Sequence, residues 1–515
     1  MSILKEELFD EREYLKTIAE NATSKNTLVV LPTGMGKTLI SVLVGAKRLE
    51  QFPGSKILIT APTRPLNAQH KSSFEKFTNL NPEEIALVTG KIKPEDRKRI
   101  YEFAKIIAAT PQTIKNDIGS GILNFENFSF FTFDEAHRCV KDYAYTFLAK
   151  NFMMHSKNPL ILGLTASPGG SEEKINEICK NLFIKAVEIR TEEDKDVESY
   201  VQPIKREWIY VDFPEDFKKI KILLDEVLFE NIAWLRQKQF VQTTRFTKKQ
   251  LLWLQKSLSS RFSQGSKNYA LLWAIIKVVE AVKLEHAIEL LETQGSGFVY
   301  EYLKKFEFSK KRTDKRIIND PRIKEALKIC EELKEKGIQH PKLNKTLEVV
   351  KFLLGENRNL KIMIFANYRA TVEKINNLLV DNGIKSDILI GQAMKQSPGL
   401  TQEEQISVIK SFAEGEFNVL VCTNIGEEGL DIAATDYAIF YEPVPSEIRS
   451  IQRRGRVGRQ KSGKVIFLIT SDTRDEAYFW AALRKEKKMK GILYDIQERK
   501  SLNKKKSLID WIKDY

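Results

Sequence analysis

The stretch FSFFTFDEAH, residues 128–137, runs apolar through six residues but for one serine and one threonine and then breaks into two carboxylates. A run of this length, rich in aromatic residues, suits a central parallel strand covered on both faces. Its polar end then stands at the carboxyl edge of the sheet, where open α/β sheets hold their ligands.

The same grammar repeats on either side. TLVVL (27–31), KILIT (56–60), IALV (85–88), KIIAA (105–109) and LILGL (160–164) are strand-length apolar runs separated by amphipathic helical patterns. After about residue 340 it returns in KIMIF (361–365), SDILI (386–390), NVLVC (418–422), YAIFY (437–441) and KVIFLI (464–469). Two α/β domains with parallel sheets are expected. Between them the apolar residues of FKKIKILLDEVLFENIAWL and YALLWAIIKVVEAVKLEHAIELLE fall at three- and four-residue spacings, which predicts helices. The expected organisation is a first domain over 1–202, an all-α insertion over 203–338 and a second α/β domain over 339–515.

The chain has 515 residues and a formal net charge of +14, which favours an anionic partner such as nucleic acid. The charge is uneven: residues 205–348 hold 29 Lys and Arg against 20 Asp and Glu. Within them, residues 231–279 hold nine basic residues, seven aromatics and no acid at all. No apolar run approaches the ~18–20 residues of a membrane span, and MSILKEELFDERE is too acidic for a signal peptide. The four cysteines are far apart and form no CxxC pair, so neither zinc nor a disulfide framework is indicated. A reduced, cytoplasmic setting is expected, with the cysteines acting as small buried hydrophobes.

Other strand ends are also polar. LPTGMGKT, residues 31–38, follows the first strand. Gly34 and Gly36 allow backbone N–H groups to approach phosphate oxygens, and the helix that follows adds the positive end of its dipole. Leu31, Pro32, Thr33, Gly34, Met35, Gly36, Lys37 and Thr38 would cradle a triphosphate, with Lys37 on the β/γ-phosphates and the Thr38 hydroxyl on Mg²⁺. Leu31 stands where the strict phosphate-loop pattern has its first glycine, so taken alone the motif also reads as a glycine-rich strand-to-helix turn. In DEAH, Asp134 would hold Mg²⁺ and Glu135 would orient and deprotonate a water. An isolated Asp-Glu at a strand end reads equally as a helix cap. The hydroxyls of Thr165 and Ser167, in TAS, stand where they can bond His137 and its neighbours and sense the bound nucleotide.

LPTGMGKT, APTRPL (61–66), TPQT (110–113), DEAH, TAS, TNIGEEGLD (423–431) and QRRGRVGR (452–459) stand in the order of the superfamily 2 helicase motifs, and the chain resembles that family. DEAHR, YEPVPSEIRSIQRRGRVGR and TRDEAYFW, with the helical insertion, resemble the archaeal Hef helicases, relatives of the Fanconi anaemia M translocase. The resemblance implies two RecA-like domains, ATP and Mg²⁺ in the cleft between them, and DNA across both, probing replication forks and four-way junctions. It implies that Arg456 and Arg459 are arginine fingers, and their spacing of three on a helix agrees. It places Gln452 near nucleotide or water, and gives Thr423, Gly429 and Asp431 the coupling of nucleotide to nucleic acid. Pro62, Thr63, Arg64, Thr110, Pro111 and Gln112 match segments that touch the sugar-phosphate backbone, so binding should be sequence-independent. Arg12 and Tyr14 match an adenine-clamping segment, expected to act by stacking, but Leu15 replaces its usual glutamine and puts strict adenine selectivity in doubt.

In the insertion, Arg245, Lys248, Lys249 and Lys256 are expected to lie along a duplex arm, while Leu251, Leu252, Trp253, Leu254 and Trp273 are expected to be helical core. Relatives of this kind often work with a nuclease, in cis or in trans. Here the ERK of QERKSLNK (497–504) lacks the carboxylate that a nuclease motif needs, because Lys504 replaces it, and is expected to be a solvated helix face. Two other classes compete. An RNA helicase of the innate-sensor type is disfavoured by the missing zinc cysteines. A catalytically dead scaffold is disfavoured by the presence of Lys37, Asp134, Glu135, Arg456 and Arg459.

Overall fold

In the computed structural model the described residues are 2–8, 12–200, 205–265, 268–392, 399–426, 435–444, 446, 451, 453 and 463–513, with side chains through 499. Seven strands form the first sheet: β1 (Thr27–Val30), β2 (Lys56–Thr60), β3 (Ile85–Val88), β4 (Ile106–Ala109), β5 (Phe128–Asp134), β6 (Ile161–Thr165) and β7 (Ala186–Ile189). Their order is β3-β4-β2-β5-β6-β1-β7, with every neighbouring pair parallel. All residues of β1, β4, β5 and β6 are buried, which is why these segments read as unbroken apolar runs rather than alternating ones. The register sets Asp134 beside Leu164 and Val30 beside Thr165. The ends of β1, β5 and β6 therefore meet at one edge.

The second sheet holds β8 (Lys205–Val211), β9 (Ile362–Phe365), β10 (Ser386–Leu389), β11 (Val419–Cys422), β12 (Tyr437–Phe440) and β13 (Lys464–Thr470). Its order is β10-β11-β9-β12-β13-β8, again all parallel. The strand β8 corrects the sequence reading, which placed residues 203–338 in an all-helical insertion. As an edge strand, β8 needs no unbroken apolar run: Trp208 and Tyr210 stay exposed and only Val211 is buried.

The helices between β8 and β9 build a bundle. Its main core includes Phe217, Ile220, Leu224, Ile288, Leu291, Val299, Leu303 and Ile323. A smaller core of Leu235, Leu254, Leu258, Leu271, Ala274 and Val278 forms where the acid-free stretch folds back on itself. The helix Lys248–Ser263 there is started by Thr247, whose side chain accepts from the Gln250 N–H while Gln250 caps in return.

The last helix, Arg474–Lys513, crosses between the two lobes. Phe479 packs with Phe440 and Phe467 of the second lobe, whereas Met489, Leu493 and Ile496 join the core of the first. Tyr494 donates to Asp194 at 2.7 Å and Gln497 accepts from the Ile189 N–H at 3.1 Å. Beside Gln497, Arg499 of the ERK segment reaches Glu172 at 3.2 Å. The four cysteines are buried free thiols, and burial pushes Cys139 and Cys330 up to about 12.

Candidate nucleotide site and nucleic-acid interface

Gly34 and Gly36 both take left-handed backbone angles, φ 87° and 86°, between β1 and the helix Lys37–Gln51. A side chain at Gly36 would also meet Leu15, since an added Cβ would lie 3.1 Å from Leu15 Cδ1. Lys37 Nζ donates within the loop to Leu31 O at 3.0 Å and Pro32 O at 3.3 Å, which ties it to the turn it follows.

Tyr14 was expected to stack on adenine, but it is fully buried and its hydroxyl donates to Met35 O at 3.0 Å. Leu15 is buried as well and packs against Gly36. Both residues support the loop from below, and the helix Glu13–Ser24 turns them inward together. Arg12 lies with its guanidinium 5.8 Å from the Tyr200 ring.

Asp134 ends β5 and is held from several sides. Its Oδ2 bonds His70 Nε2 at 2.9 Å and its Oδ1 accepts from the Glu135 N–H at 2.9 Å. Tyr145 donates to the Asp134 carbonyl at 2.6 Å. Burial alone would raise the Asp134 carboxyl, but the His70 hydrogen bond and the nearby Lys37 charge hold it below the ordinary range. Glu135 adopts φ 50°, a strained left-handed conformation for a non-glycine residue. Its Oε2 is buried without a hydrogen-bond donor and lies 3.2 Å from His137 Nδ1. His137 Nδ1 also meets Thr165 Oγ1 at 3.3 Å, and the Thr165 hydroxyl donates to Ser167 O and accepts from its N–H, both at 3.1 Å. The DEAH and TAS segments are thus one bonded chain.

This set fits a hydrated Mg²⁺ bound chiefly through phosphates. It offers the Asp134 carboxylate and, in the first turn of the helix Lys37–Gln51, Thr38, and among the described residues no cluster of three or more His, Cys, Asp or Glu side chains could hold a metal alone. On the second lobe Thr423 is buried at the end of β11. Gln452, Arg456, Arg459, Gly429 and Asp431 lie outside the described residues.

Pro62, Arg64, Thr110, Pro111 and Gln112 line one open cavity of about 380 Å³, with Lys115, Asp142 and Tyr143. Two helices begin at its wall, Arg64–Phe77 and Pro111–Gly119, so their positive dipole ends face it. Thr63 caps the first by accepting from Leu66 N–H at 3.5 Å.

On the insertion, Arg245, Lys249 and Lys256 are exposed. Lys248 departs from expectation: it is ion-paired to Glu289 and bonded to His286 Nδ1 at 3.0 Å, so its charge is already compensated. Leu251 and Leu254 are buried as expected, but Leu252 and Trp253 are 48% and 70% exposed. With Leu251, Leu254 and Leu258 turned inward at spacings of three and four, Trp253 falls on the opposite face, between Lys249 and Lys256. Trp273 is half-buried, with the Arg316 guanidinium 4.6 Å above its ring. The sequence reading missed His70, Tyr145 and Lys115. His70 stands in PLNAQH with no spacing that marks it, and only the approach of its helix to β5 reveals it.

Comparison with known proteins follows the same layout. Residues 12–175 match the DEAD/DEAH box helicase model, 341–461 the helicase conserved C-terminal domain, and 216–337 a helical bundle described for ATP-dependent RNA helicases. The crystal structure of the Pyrococcus furiosus Hef helicase domain is 43% identical with a TM-score of 0.72, covering 93% of this chain and 100% of that one. A Methanocaldococcus jannaschii protein, provisionally named an ATP-dependent RNA helicase, is 44% identical over 95% of this chain and 62% of its own length. The ATP-dependent DNA helicase fml1 of Schizosaccharomyces pombe is 32% identical over 89% of this chain and 57% of its own. The chain thus spans about six-tenths of the length of these two relatives.

Proposed function

The chain belongs to the DEAD/DEAH-box helicases, in the branch of the Hef helicase domain, and from that premise we propose that it is an ATP-dependent DNA helicase or translocase acting on forks and four-way junctions. Lys37 would neutralise charge on the β/γ-phosphates, and Thr38 and Asp134 would hold a Mg²⁺ that would supply further neutralisation there. Glu135 takes a proton from the attacking water, and the His137–Thr165–Ser167 chain carries the state of that carboxylate onward. In this reading Arg456 and Arg459 act as arginine fingers on the γ-phosphate, and Gln452 contacts nucleotide or water. Gly429 and Asp431, with Thr423, relay the nucleotide state to the DNA.

DNA runs along the cavity that Arg64 and Gln112 line, positioned by its backbone and not read for sequence. Arg245, Lys249 and Lys256 hold a duplex arm, with the exposed ring of Trp253 between the two lysines of its helix. A nuclease acting on the same branch, in cis or in trans, belongs to this reading. The carrying observation is the meeting of Lys37, Asp134 and the buried Glu135 carboxylate at one sheet edge.

ATP hydrolysis measured with single-stranded, duplex, forked and four-way DNA should be stimulated most by the branched forms. Lys37→Ala should abolish hydrolysis, with a loss of roughly 10³-fold or more expected for a lost phosphate clamp. A variant that still turns over would defeat the assignment. The helical-bundle match and the M. jannaschii relative's name favour a second reading, action on duplex RNA. Stronger stimulation by duplex RNA than by forked DNA would select it.

A further inference from the structure

The insertion's longest helix, Tyr269–Gln294, has 26 residues and reaches about 39 Å at 1.5 Å per residue. Its first half packs against the helix that carries Lys249, Trp253 and Lys256. Its last residue, Gln294, is buried inside the second lobe. There the Gln294 amide donates to Glu442 Oε1 and accepts from the Thr371 hydroxyl. Glu442 Oε2 in turn accepts from the Asn367 N–H at 2.7 Å. Asn367 Oδ1 accepts from Arg453 Nη2 at 2.9 Å, while Arg453 Nη1 donates to the Glu442 carbonyl at 3.4 Å. Arg453 is fully buried, with its guanidinium 5.3 Å from the Phe365 ring and 5.5 Å from the Phe440 ring. It is the second residue of QRRGRVGR and stands three positions before Arg456.

The same helix end has two more anchors. Glu292 accepts from Arg474, and its carbonyl meets His340 Nε2 at 3.0 Å. Such a bundle end is not a hinge. Swinging it against the second lobe would strand several buried polar groups without partners. The end of the long helix and the second lobe are therefore bonded together at Gln294 and Glu292.

We propose that Gln294 and Glu442 are positioning residues that make occupancy of the insertion's cationic face a control on ATP hydrolysis. DNA bound on that face acts, through the long helix and the Gln294–Glu442–Asn367–Arg453 chain, on how Arg453 of QRRGRVGR is held. The inference rests on the helicase reading above and adds its regulation.

The test compares wild type, Gln294→Met and Thr371→Val for ATP hydrolysis without DNA and with forked DNA, and for forked-DNA affinity. In Gln294→Met, stimulation by forked DNA should fall about tenfold, while DNA-free hydrolysis and affinity stay within about twofold. Thr371→Val removes one hydroxyl at constant shape and should lose a smaller part of the stimulation. Full stimulation in Gln294→Met overturns the inference. Parallel loss of stimulation, DNA-free hydrolysis and affinity overturns it too, because that is the pattern of a residue needed only for folding. Should Gln294→Met not fold, Thr371→Val decides by the same split. A wild-type chain that no polynucleotide stimulates overturns the helicase reading together with this inference; failure of the variants alone overturns only the inference.

Discussion

At the scale of single residues, the most consequential contact is His70 on Asp134. Under the proposed function Asp134 holds Mg²⁺; outer partners of such a carboxylate orient it, and their loss typically weakens metal binding by about 10–100-fold. His70→Phe should therefore raise the Mg²⁺ needed for nucleotide binding by roughly tenfold, read by nucleotide titration at graded Mg²⁺. An unchanged requirement would mean that Asp134 is held well enough by Glu135 N–H and Tyr145. A second histidine carries a pH prediction. His340 is buried, its Nδ1 accepts from Lys342 N–H at 3.3 Å, and burial, with the Lys342 charge, pushes it down to about 3. The unfolded chain takes up a proton near the ordinary 6.5 that the folded chain refuses. Stability is therefore fully present above 6.5 and declines as pH falls towards 3, with a slope of up to about 1.4 kcal/mol per unit. Urea unfolding at stepped pH should show this slope, and His340→Gln should flatten it.

At the scale of elements, the helix Lys248–Ser263 divides its labour by face. Leu251, Leu254 and Leu258 go inward, and Lys249, Trp253 and Lys256 go outward. Replacing Arg245, Lys249 and Lys256 with Glu should lower forked-DNA affinity by about 10²-fold or more at low salt and flatten the salt dependence by roughly three contacts. Trp253→Ala should cost about 1–3 kcal/mol of binding to single-stranded DNA, with little change in duplex affinity. Lys248 belongs to the other face of this account, since Glu289 already neutralises it. Lys248→Ala should lower the melting temperature without changing the salt dependence of DNA binding. Fluorescence titration at stepped salt separates these outcomes.

At the scale of the whole molecule, the helix Arg474–Lys513 makes the two lobes partners in folding. Ser167 Oγ lies 2.9 Å from Met489 Sδ, so the TAS segment touches a helix that starts on the other lobe. Leu493 is fully buried in the first lobe's core. Leu493→Ala should cost about 2–5 kcal/mol and weaken the docking of the second lobe on the first. Denaturant unfolding monitored on each lobe should then split into two transitions, whereas a single shared transition of unchanged midpoint would show that the helix is not what joins them.

By itself the sequence determined the two parallel sheets and the place of the nucleotide loop. Doubly covered strands must be apolar throughout, and a phosphate turn must have glycine where φ is positive, so both leave marks in the residue string. The helical character of the insertion was equally legible from its three- and four-residue periodicity. What the string could not show were relations across distance. The strand β8 hid because an edge strand need bury little of itself, and the crossing of the last helix hid because an amphipathic face does not name its partner. Tyr14 under the loop, His70 on Asp134, Lys248 on Glu289 and Trp253 in solvent were decided by which elements approach which. One chain's composition does not encode that approach; only packing in three dimensions settles it.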